Sequence, residues 1–168
     1  MVTRLPAALI PIAMVLAAGC SEPADWSSRP LVPQEGVVED VKFRWSVPEG
    51  MKRDSAGAGF ALRGADEKQP SPRLQVGLER PMPASIAAAV KAARLADAVV
   101  SRREEVPGGF IVSGHSEKKD QILVNVWREH EGVALRCQAA FSWSKGIPSF
   151  DKTRAMLENV CLSMGAAE

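Results

Sequence analysis

The stretch from Val133 to Trp143 restricts the possible folds more than any other part of the sequence. Val133, Leu135, Cys137, Ala139, Phe141 and Trp143 alternate with Arg136, Gln138 and Ser142. Successive side chains of a strand point to opposite faces, so this pattern predicts a strand with one face against a core. Residues 109–114 and 121–129 read as two further strands, and the polar links 116–120 and 130–132 are short enough to join antiparallel neighbours. In the middle one, Ile122, Val124 and Val126 share one face while Leu123, Asn125 and Trp127 share the other. Apolar residues on both faces predict a central strand with helices on each side. Trp127 is the candidate binding residue, beside a groove, although a strand tryptophan is more often core filler.

Upstream, Val41, Phe43, Trp45 and Val47 alternate with polar residues until Pro48-Glu49-Gly50, which predicts a strand and a turn. Residues 60–62 and the set Leu74, Val76 and Leu78 supply two more strands, separated by a polar loop over 64–72. Ser85 is placed to cap a helix over 85–98, and Ser149 or Asp151 to cap a last helix running through Leu162. Phe150, Leu157, Val160, Cys161 and Met164 form the apolar stripe of that last helix. The order βββ-α-βββ-α predicts an α+β fold, a six-stranded antiparallel sheet packed by two helices.

The first residues are of a different kind. Arg4 is followed by an apolar run to Ala18, shorter than the roughly 20 residues of a membrane-spanning helix. It fits a secretory leader over 1–19. Ala17, Ala18 and Gly19 stand before Cys20, as in the lipobox of bacterial lipoproteins, with Ala17 where Leu is commoner. The expectation is cleavage before Cys20 and acylation of its thiol, palmitate among the acyl groups. Two or three chains, at about 0.8 kcal/mol per buried CH₂, make a stable anchor. The alternative is a plain secretory signal with an incidental cysteine. Residues 20–36, with Pro23, Pro30 and Pro33, read as a flexible tether, in which Trp26 either dips into the membrane interface or faces solvent. The globular domain is then 37–165. Ser21 resembles the sorting context of outer-membrane lipoproteins, so the outer membrane is preferred to the inner one.

The chain has three cysteines. With Cys20 lipidated, Cys137 and Cys161 remain as a pair on two core-facing positions, in an exported and oxidising setting. A bridge between them stabilises by about 3 to 4 kcal/mol on the chain-entropy model. Two buried free thiols are the alternative.

The opening strand Phe43-Arg44-Trp45-Ser46-Val47-Pro48-Glu49-Gly50-Met51, the central helix, the meander and the closing helix resemble the PsbP-like fold, including DcrB-type bacterial lipoproteins. The resemblance covers residues 37–165 and implies a PsbP-like sandwich acting as an accessory or assembly factor that binds other proteins. It carries no catalytic residues over.

The residues suggest no chemistry of their own. The 21 basic and 20 acidic residues leave no surplus for nucleic acid. His115 and His130 read as surface histidines, with no zinc-ligand spacing around Cys137 and Cys161. Ser113-Gly114-His115-Ser116 is no hydrolase elbow and reads as a turn, and Arg102-Arg103-Glu104-Glu105 reads as a solvated charge run. The expectation is a non-enzymatic module without metal or cofactor, held to the membrane by its lipid, facing the periplasm and binding another envelope protein. A carrier of a small hydrophobic ligand or lipid is the alternative, and requires a cavity above roughly 300 Å³ between sheet and helices.

Overall fold

The computed structural model describes residues 24–55, 59–66, 69–95, 98–130 and 132–166. A 3₁₀ turn, Trp26–Ser28, leads into β1 (Leu31–Val38), β2 (Val41–Pro48), β3 (Met51–Arg53), β4 (Phe60–Gly64) and β5 (Arg73–Glu79). Helix α1 (Ile86–Ala92) precedes β6 (Val99–Val106), β7 (Gly109–His115), β8 (Gln121–His130) and β9 (Val133–Ser142). Helix α2 (Phe150–Leu162) and the two-residue β10 (Gly165–Ala166) finish the described chain.

The α+β class is as expected, but the sheet is larger. Seven strands pair in the order β3-β4-β5-β9-β8-β7-β6, all antiparallel, and β1-β2-β10 make a second sheet. The expected six strands omit β1, β3, β6 and β10. Both long omissions are edge strands. β1 carries Pro33, whose missing N–H is tolerated because β1 pairs only with β2. β6 carries the charge run, as edges often do to discourage pairing with other chains. The meander β7-β8-β9 lies within one residue of the expected bounds.

The small sheet and α2 lie against the inner face of the large sheet and share its core. Phe43, Trp45 and Val47 of β2 are buried there with Leu74, Val76, Val126, Leu135, Phe141, Leu157 and Val160. Phe43, Trp45 and Phe60 meet edge to face, with ring centroids 5.4 to 6.2 Å apart. Gly36 makes room for them, since a Cβ there would stand 2.3 Å from the Phe43 ring. Cys137 of β9 and Cys161 of α2 are joined in a disulfide, closing 24 residues and pinning helix to sheet.

Of the tether expected over 20–36, the described residues from Trp26 on belong to the fold. Trp26 is buried, and its indole N–H donates to the Pro70 carbonyl at 3.2 Å. The Arg29 guanidinium covers the ring at 3.8 Å and donates to the Glu49 carbonyl. Trp26 therefore belongs to the core, neither in solvent nor at a membrane interface. Helix α1 is also shorter than the expected 85–98. Ser85 caps it as expected, accepting from the Ala88 amide, but Arg94 takes a left-handed φ of 51° and ends it. An alanine-rich run has few large side chains for packing to hold beyond its first turns. At α2, Ser149 has the N-cap place but a φ of 47° and no capping bond; its hydroxyl donates to Asp25, and the Thr153 hydroxyl donates to the Pro148 carbonyl.

Candidate functional site

Seven helical residues cannot cover seven strands. Helix α1 lies on the outer face of the large sheet over β7 and β6, where Ala89 and Ala93 pack on Val112 and Trp127. Among the described residues no helix runs along the outer faces of β5, β9 and the first half of β8, and only the end of α1 reaches Arg136. Gln75, Gly77 and Glu79 of β5, Arg136 and Gln138 of β9 and Asn125 of β8 share this uncovered face by register.

These side chains form one network. The Asn125 side-chain oxygen accepts from Arg136 Nη2 at 2.9 Å, from Arg136 Nε at 3.2 Å and from Gln138 at 3.2 Å. Arg136 also donates to Glu79 at 3.3 Å and to the Ala92 carbonyl at the end of α1 at 3.2 Å. The guanidinium is thus fixed in place, with its stem over β9 and its plane 5.0 Å from the Trp127 ring. Gly77 leaves a gap in the face, for a Cβ there would meet nothing within 4 Å. A cleft of 250 Å³ opens beside it, bordered by Gln75, Glu79, Arg136, Gln138 and Glu39. A second, of 260 Å³, continues past Asn125 and Leu123. The result is a polar, preorganised concavity with one fixed cation, a buried Asn125 and an exposed Gln138.

Trp127, the candidate binding residue, is completely buried under α1. It supports the site through Arg136 and does not line it. Among the described residues its indole N–H has no partner, the cost of using tryptophan as filler. The sequence reading missed Arg136, Asn125 and Glu79. The signal was present: polar residues at alternate positions facing one another across three strands, on the side that a short helix leaves open.

Elsewhere the structure brings polar groups together without making a reactive cleft. Ser113 lies in β7, not in a turn, and its buried hydroxyl donates to Glu158 of α2 at 2.6 Å. Arg102 holds the other Glu158 oxygen at 3.1 Å and also pairs with Glu104, so the charge run is only partly solvated. The hydrogen bond to Glu104 and then the one to Glu158 raise the Arg102 pKa, against the effect of burial. A serine enclosed in this way is structural. His115 Nδ1 lies 2.9 Å from the Ser101 hydroxyl. Burial first, then Arg154 and Lys119, lower the His115 pKa below the ordinary 6.5. His130 is buried, contrary to the expected surface position. Among the described residues no three His, Cys, Asp or Glu side chains are gathered as a metal site needs. None of the helices among them is long and apolar enough to cross a membrane. Cys20 lies outside the described residues.

No family model matches this chain, so the PsbP-like resemblance is unsupported by one, and no curated protein matches it either. Among solved structures, the crystal structure of LpqN, described as involved in cell envelope biogenesis of Mycobacterium tuberculosis, aligns with a TM-score of 0.45. Identity is 10%, over 80% of this chain and 90% of that one. A likeness this distant leaves fold and function to be read from the residues themselves.

Proposed function

We propose that this chain is an envelope lipoprotein, anchored through Cys20, whose domain is a non-enzymatic binding module. Its binding face is the uncovered outer side of the large sheet, and its partner is a polar polypeptide surface. One observation carries this reading. A face with Arg136 fixed by Glu79, Asn125 and Ala92 is rigid before binding, so little ordering entropy is lost on contact.

The test is photo-crosslinking in cells from Gln138, with exposed Asn159 of α2 as the control position. The reading predicts a discrete adduct from 138 and none from 159. It predicts also that Gly77→Trp, which fills the gap, abolishes the adduct without moving the denaturation midpoint. Equal adducts from both positions, or indifference to Gly77→Trp, contradict it.

A carrier of a small hydrophobic ligand has one observation in its favour. An open groove of 450 Å³ lies between the β1–β2 hairpin and β3–β4, lined by Val37, Lys42, Phe43, Arg53 and Phe60. It lies between sheet edges, not between sheet and helices as a carrier was expected to need. Displacement of a fluorescent fatty acid that Phe60→Ala leaves unchanged would exclude it.

A further inference from the structure

We infer that the domain does not swing free of the membrane but rests on anionic lipid headgroups with one end of its large sheet. This rests on the reading of Cys20 as the lipidated residue and adds an orientation to it. Only residues 21–23 separate Cys20 from Ala24, where the described chain begins. Four extended residues span at most about 14 Å, and the interfacial layer of a leaflet is itself roughly 5 to 8 Å deep. The anchor therefore fixes which end of the molecule faces the bilayer.

That end is identified by contacts. Asp25 accepts from the Ser149 hydroxyl at 3.1 Å, and Trp26 is held at Pro70. The pairings Arg63↔Arg73, Arg73↔Ala140, Gln121↔Ser142 and His115↔Ile122 place residues 65, 66 and 69–72 and the loops 116–120 and 143–149 at this same end. It carries exposed Lys118, Lys119, Lys145 and Lys152. Among the described residues none of these four is in an ion pair. Lys119 lies 5.4 Å from the Phe150 ring at the start of α2, and Lys152 acts electrostatically on Asp25. Acidic groups are present as well, with Glu49, Asp66, Glu117 and Asp151 exposed and Asp120 held by Ser116; Asp151 is engaged by Arg154, and the four lysines cluster on the 116–120 and 143–152 side of this end. At the opposite end exposed Glu39, Asp40 and Glu129 stand with exposed Lys42 and Arg80, and Arg80 pairs with Glu39. Trp26 is buried and does not insert, so the lysines carry the attraction, with exposed Leu31 and Val99 at the same end.

The experiment is hydrogen exchange with mass readout on the full native lipoprotein reconstituted in phosphatidylglycerol vesicles, compared with phosphatidylcholine vesicles. The seat predicts severalfold slower exchange in 116–120 and 143–149 on the anionic vesicles only, and no change in 38–41. It predicts that the protection is lost in about 1 M NaCl, where the Debye length is about 3 Å, and in the triple variant Lys118→Glu, Lys119→Glu, Lys145→Glu. Protection equal on both lipids, or none, or protection at 38–41 instead, overturns it. The N-terminal peptide of the same digest reports the anchor separately. If it carries no lipid the anchor reading falls, and the chain is coupled through the Cys20 thiol to a maleimide lipid, where the seat predicts the same pattern.

Discussion

Arg136 shows how much one side chain organises here. It makes four hydrogen bonds, to Glu79, to the end of α1 and twice to Asn125, and it has 17% side-chain exposure. Arg136→Ala leaves Glu79 and Asn125 short of partners, and a loss of about 2 kcal/mol in chemical denaturation is expected. His115 gives a prediction with a definite sign. Its folded pKa lies below the ordinary 6.5, chiefly through burial, so the unfolded chain takes up the proton more readily. Stability is then full above that ordinary value and declines as pH falls through the lower, folded one. Denaturation midpoints across this acid range should decline in the native protein and decline less in His115→Gln. Such residues are the least legible in sequence. His130 and Ser113 look like surface and turn residues until the register buries them, and Arg136 looks like a solvated strand position because nothing local shows that α1 stops short.

Elements were legible where one face is apolar and the other polar. β9 and β8 could be read from alternation, and α2 from its stripe at spacings of three and four. β1 and β6 could not, because an edge strand is exposed by design and its composition resembles a loop. Trp26 tests where the fold begins. Trp26→Ala is expected to cost about 3 to 5 kcal/mol as a core truncation, whereas a tether residue would cost nothing measurable. The β1–β2 turn offers a gain: Glu39 and Asp40 both have positive φ, 45° and 69°. In a two-residue hairpin loop that conformation favours Asn-Gly, so Asp40→Gly should raise stability by up to about 1 kcal/mol in thermal melts.

At the scale of the whole molecule, two constraints act together. The disulfide ties α2 to the middle of the large sheet, and its reduction should cost about 3 to 4 kcal/mol in denaturant titrations with and without reductant. The alternation of β9 and the stripe of α2 already placed both sulfurs in one core, so this link was legible before the fold was. The uncovered outer face was not, because it depends on how far one helix reaches over seven strands. The other constraint is the proposed anchor, which would turn a folded module into an envelope component and make its orientation matter. It is tested most directly by the intact mass of the native protein extracted from membranes. The account predicts a chain beginning at Cys20 and carrying diacylglycerol on its thiol; a chain beginning at Met1, or a lipid-free Cys20, would contradict it.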